Sequence, residues 1–161
     1  MKKILLTLLF GLMGLVANAQ LYKMYKTQNY HNQLRLNTAN GSVQQIQDDG
    51  QKWIIVPEIV RGGKAQNRFQ LFETRNMWTF ILLDTFNGRL WQVQFSVEGV
   101  EYMMYVPINN TPLIKSIGKS IFTIQPMTSI YQYYLINEKN GDMWMFQWAT
   151  EGDEYRWIKK L

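Results

Sequence analysis

Residues 69–106, FQLFETRNMWTFILLDTFNGRLWQVQFSVEGVEYMMYV, align without a gap with residues 122–159, FTIQPMTSIYQYYLINEKNGDMWMFQWATEGDEYRWIK, at a constant offset of 53. Ten of these 38 positions are identical: Phe69/Phe122, Leu82/Leu135, Asn87/Asn140, Gly88/Gly141, Trp91/Trp144, Gln94/Gln147, Glu98/Glu151, Gly99/Gly152, Glu101/Glu154 and Tyr102/Tyr155. A worn earlier copy starts at Tyr22. At offset 47 it matches Thr27/Thr74, Asn29/Asn76, Thr38/Thr85, Asn40/Asn87, Gly41/Gly88, Gln45/Gln92 and Gln47/Gln94. After a two-residue deletion, Asp49/Glu98, Gly50/Gly99 and Trp53/Tyr102 pair at offset 49. The chain is therefore three repeats of about 40 residues, over about 22–59, 69–108 and 122–161.

Each repeat reads as four short strands, in the second copy at about 68–74, 77–85, 89–96 and 101–107. TFNGRL and EKNGDM place Asn-Gly between apolar runs, which predicts a tight hairpin of type I′. Trp91, Val93 and Phe95 alternate with Gln92 and Gln94, a period of two that Trp144, Phe146 and Trp148 repeat. The run WTFILLD is apolar throughout, so its strand is expected to be buried on both faces. Two polar connections, RGGKAQNR (61–68) and NNTPLIKSIGKS (109–120), separate the copies, and no helix is expected after residue 19. The expected fold is all-β: three tandem four-stranded antiparallel meanders, propeller-like with pseudo-threefold symmetry. A β-trefoil is the alternative; it favours longer loops inside each repeat, whereas here the longest connections lie between copies.

The N-terminus, MKKILLTLLFGLMGLVANAQ, joins Lys2 and Lys3 to an apolar stretch from Ile4 to Val16 and ends in Ala17-Asn18-Ala19. This is the pattern of a signal peptide over 1–19, cut after Ala19, and it addresses residues 20–161 to the periplasm or the exterior. Removing it takes away two lysines, so the formal net charge falls from +5 to +3 over 142 residues. That charge concerns solubility and leaves no nucleic-acid footprint. No second apolar stretch is long enough to span a membrane after cleavage. With no cysteine and one histidine, a disulfide framework, a thiol nucleophile and a Cys- or His-rich metal site are excluded. Neither a cofactor nor a metal is expected.

The segment ILLDTFNGRLWQVQF resembles the middle hairpin of a quinoprotein-type β-propeller blade, whose pattern is Leu-Asp-x-x-x-Gly-x-x-x-Trp. Leu83, Asp84 and Gly88 match it, but only two residues separate Gly88 from Trp91. RFQLFET followed by LLDTFNGRLWQVQ also resembles a short hairpin motif of uncharacterised bacterial proteins. The resemblances imply blade-like sheets and no activity. No quinone-binding residue carries over, and three blades are fewer than the usual number, about four to eight.

Candidate chemistry is sparse. His31 has no serine and aspartate in catalytic order and no ligand partner nearby, so it reads as a surface histidine. Glu98, Glu101, Glu151 and Glu154 offer paired carboxylates, yet their recurrence at a glycine turn suits solvated turn acids. Gln47, Gln94 and Gln147 recur on one strand and would line a polar pocket if they converged. Where the copies differ, the cationic set Arg61, Lys64, Arg68 and Arg75 and the tyrosines Tyr131 and Tyr133 suit ligand contact. The expected function is a non-enzymatic interaction module for a protein partner, with a carbohydrate-binding module as the alternative.

Overall fold

The computed structural model describes residues 20–161; the signal-peptide reading falls on residues outside that range. Among the described residues, twelve strands form three four-stranded antiparallel meanders in chain order. The first sheet holds β1 (Tyr22–Lys26), β2 (Asn32–Asn37), β3 (Val43–Gln47) and β4 (Lys52–Val56). The second holds β5 (Phe69–Glu73), β6 (Thr79–Asp84), β7 (Arg89–Gln94) and β8 (Met104–Pro107). The third holds β9 (Phe122–Pro126), β10 (Gln132–Asn137), β11 (Met143–Gln147) and β12 (Trp157–Lys160). Register repeats with the sequence: Leu82 opposes Trp91 in the second sheet, and Leu135 opposes Trp144 in the third.

Side-chain alternation gives every sheet a back face and a forward face. Leu34, Leu36 and Val43 on the forward face of the first sheet pack against Phe69, Leu71, Phe80, Leu82 and Trp91 on the back face of the second. Ile81, Leu83 and Leu90 on the forward face of the second sheet pack against Phe122, Tyr133, Leu135, Trp144 and Phe146 on the back face of the third. The second sheet is thus the filling of a three-layer stack. All six residues of β6, TFILLD, are buried, as the apolar run predicted. Each fully buried Leu, Ile or Phe stabilises by about 1.5–3 kcal/mol. Adjacent sheets meet face to face, as blades do, but among the described residues no core cluster joins the third sheet back to the first. Among the described residues, three separate four-stranded sheets in this order leave no closed barrel for a trefoil.

The Asn-Gly hairpins differ in type from the expectation. Gly41, Gly88 and Gly141 have φ of 82°, 76° and 78°, but Asn67 is the one described residue other than glycine with positive φ, so none of these turns is type I′. In the second sheet the N–H groups of Asn87 and Gly88 both donate to the Asp84 carbonyl, the pattern of a turn closed by a left-handed glycine. The side chain three residues before each Asn-Gly asparagine starts the turn. Asn37, Asp84 and Asn137 accept from Ala39, Phe86 and Lys139 N–H, and Asn40, Asn87 and Asn140 accept from Ser42, Arg89 and Asp142 N–H. The repeated asparagine is there to accept a hydrogen bond locally.

These turns also seal the layers. Phe69 N–H donates to the Thr38 carbonyl of the preceding sheet, and Phe122 N–H donates to Thr85 in the same way. The connections between copies then fold over the turns, with Ile59 and Val60 N–H on the Asn40 carbonyl and Leu113 and Ile114 N–H on the Asn87 carbonyl. No described helix is long and apolar enough to cross a membrane.

Candidate functional site

The opposite end of the sheets, away from the Asn-Gly turns, carries a cleft that recurs. In the second sheet the β5–β6 turn is held by Thr74, whose hydroxyl donates to the Asn76 and Thr79 carbonyls, while Asn76 Oδ1 accepts from Trp78 N–H. This fixes Trp78 at the rim. The Trp78 carbonyl accepts from Phe95 N–H, and the two rings meet at 5.2 Å between centroids and 55°. The third sheet rebuilds the arrangement: Ser129 Oγ accepts from Tyr131 N–H, the Tyr131 carbonyl accepts from Trp148 N–H, and the rings meet at 5.0 Å and 55°.

The far wall is the segment after the third strand. Gln94 Nε2 donates to the Tyr102 carbonyl at 3.1 Å, and Gln147 Nε2 donates to the Tyr155 carbonyl at 3.0 Å. Each tie fixes a single 3-10 turn, Val100–Tyr102 or Asp153–Tyr155, that lifts its tyrosine into solvent. Tyr102 is 53% exposed and Tyr155 is 56% exposed. Glu98 and Glu151 complete the rims of clefts of about 220 and 270 Å³. Each cleft therefore combines a buried aromatic floor, an aromatic at either side, one amide and one carboxylate.

The first sheet keeps the frame and changes the contents. Thr27 and Asn29 hold the turn, Asn29 Oδ1 accepts from His31 N–H, and the His31 carbonyl accepts from Asp48 N–H. His31 and Asp48 stand where the other copies have the aromatic pair, with Nδ1 to Oδ2 at 2.5 Å. That hydrogen bond holds the Asp48 carboxyl below its usual value. Gln47 lies with Gln51 and Trp53 in a cleft of about 220 Å³ whose other wall is Ser96–Val100 of the second sheet.

Gln47, Gln94 and Gln147 therefore line three separate clefts at one end of the stack. The cationic set is divided. Arg75 belongs to the cleft end, where its guanidinium donates to the Thr128 carbonyl at 2.8 Å and links the second and third sheets. Arg61 and Lys64 are exposed in the connection before β5, which begins at the other end. Arg68 makes a forked pair with the buried carboxylate of Asp84, at 2.7–3.1 Å, and lies over the Phe69 and Phe86 rings. Tyr131 lines the third cleft. Tyr133 is core, 3% exposed and stacked on Phe146, and burial pushes its phenol pKa up. Among the described residues no group of three His, Asp or Glu side chains could hold a metal ion.

Sequence reasoning passed over Trp78, Tyr102 and Tyr155. Identity between copies reads as scaffold until exposure is known, and the aligned Tyr102/Tyr155 was the available signal. It also passed over Gln45, fully buried, whose amide donates to the Ser96 carbonyl and accepts from Ser96 N–H across the first seam. At the second seam Gln92 keeps the accepting half of this role, its Oε1 accepting from Ala149 N–H and from Arg156 Nε. No protein-family model, curated protein or solved structure matches the chain.

Proposed function

We propose that the protein is a non-enzymatic, exported binding module whose row of sheet-end clefts grips successive residues of a carbohydrate chain. The observation that carries this reading is the repetition of aromatics around an open cleft: half-buried Trp78 with Gln94, Glu98 and exposed Tyr102 in one recurs as Tyr131, Gln147, Glu151 and exposed Tyr155 in another. A buried residue repeats because packing demands it. A tyrosine more than half exposed has no such demand, and ring stacking with hydrogen bonding at its rim is the recognition that flat aromatics supply best. The clefts are shallow, so one site binds weakly and tandem sites act together through raised effective concentration. Export rests on the Lys2-Lys3, apolar and Ala17-Asn18-Ala19 pattern. The cationic set that a protein partner would use is divided, with Arg68 held by Asp84 and Arg75 at the cleft end.

Titration with neutral oligosaccharides of increasing length tests the reading. Affinity should rise with chain length, stay nearly constant with added salt, and fall at least tenfold in Tyr102→Ala with Tyr155→Ala. Capture of a protein that weakens steeply with salt and with Arg61→Glu, without any oligosaccharide binding, would overturn it.

A further inference from the structure

The stack ends in two surfaces that fit the two halves of its own internal seam. At each internal seam a glycine turn of one sheet sits on the aromatic ring that opens the next. A Cβ added at Gly41 would meet the Phe69 ring at 2.9 Å, and one at Gly88 would meet the Phe122 ring at 3.2 Å. The third turn, at Gly141, has nothing within 4 Å among the described residues. Tyr22, the counterpart of Phe69 and Phe122, is 49% exposed. It borders a groove of about 450 Å³ formed with Arg35, Asn37, Gln44, Ile54 and Glu58 on the back face of the first sheet. That groove lies where an internal seam would receive the preceding glycine turn.

The forward face of the third sheet is equally unmatched. Tyr134, Ile136 and Met143 occupy the positions of Ile81, Leu83 and Leu90, which are buried against the third sheet, yet they lie outside both core clusters. Met145 stands where the two internal seams have Gln45 and Gln92. The change matches its opposite side. The first repeat lacks two residues in the segment equivalent to Ser96–Val97, part of which the Gln45 amide grips, so a glutamine there would be buried without its partner.

The geometry points to a second copy of this chain as the occupant: the forward face of the third sheet docks on the back face of the partner's first sheet. Two copies joined in this way make two identical seams and close a ring of six sheets, within the usual blade number of about four to eight. The back face of the first sheet is more polar than its counterparts, with Gln33, Arg35 and Gln44 in the places of Phe80, Leu82 and Trp91. The seam is therefore reversible, and each copy remains soluble alone, as capped repeats are. The sheet-end clefts stay open, because the Gln94 cleft remains open although the second sheet is already packed on both faces.

Sedimentation equilibrium on the purified protein tests this, using Met145→Lys on the forward face and Ile54→Lys on the back face, with circular dichroism to confirm folding. Met143→Lys replaces Met145→Lys if that variant fails to fold. The wild-type mass should rise from one chain toward two with concentration. Each variant should stay at one chain, and an equimolar mixture of the two should recover the two-chain mass, because one seam then joins two unaltered faces. A single-chain mass at every concentration, masses growing past two chains, or loss of pairing in Met145→Lys alone would overturn the proposal. The last result would mean that two third sheets pair with each other.

Discussion

Both ends of the sheets repeat in sequence, and they do opposite things. At one end Asn40-Gly41 and Asn87-Gly88 are pressed under the next sheet and wrapped by the connections between copies. At the other, Trp78 with Tyr102 and Tyr131 with Tyr155 stand around open clefts. Repetition alone cannot separate scaffold from site, whereas burial does. Substitutions at the Asn-Gly end should therefore cost stability and spare binding, and substitutions at the cleft end should do the reverse.

The largest expected effect is at Asp84, whose carboxylate is buried, paired with Arg68 and capping its turn. Asp84→Ala strands the guanidinium, and urea unfolding should show a loss of about 3–5 kcal/mol. Unchanged stability would place the ion pair in solvent. Next come the glycines. Gly88→Val combines the roughly 1–2 kcal/mol of a left-handed side chain with about 1–3 kcal/mol of overpacking against Leu113 and Phe122. Gly141→Val carries only the first contribution, so in the dilute monomer its midpoint should move about half as far. Equal shifts would mean that the Gly88 turn is not under the third sheet.

Gln45→Leu keeps the volume and abandons the Ser96 backbone across the first seam, for a loss of about 2 kcal/mol. Tyr102→Ala and Tyr155→Ala should each change stability by less than about 0.5 kcal/mol, since both rings are exposed. A large stability loss there would move those tyrosines from site to scaffold. The smallest effect is the pH dependence of the His31–Asp48 pair in the first sheet. His31 lowers the folded pKa of Asp48, so the stabilisation is present above the ordinary carboxylate range and fades as pH falls through the lowered value. The stability difference between wild type and His31→Ala should therefore shrink on acidification.

The repeats, the strand pattern and the doubly buried β6 were legible because alternation and offset identities report pleat and packing directly. The turn type was not. Asn-Gly suits a two-residue I′ loop, and the side chain that chooses the longer turn sits three residues earlier, at Asn37, Asp84 and Asn137. The glutamines show a second limit. Gln45 and Gln47 share a face, as do Gln92 and Gln94, so alternation cannot tell which pair reaches into the seam and which lies at the sheet end. Tyr131 and Tyr133 also share a side, but one lies beyond the strand and the other is pressed beneath the second sheet. Distance from the sheet end decides each case, and that is a property of the stack.

The central claim is the layering itself, with the second sheet sealed between the other two. Native-state hydrogen exchange on the dilute monomer tests it most directly. The slowest amides should lie in β6 and β7, with protection falling outward toward β1 and β12. Equal protection across the three sheets, or a maximum in the first or third, would contradict the stack.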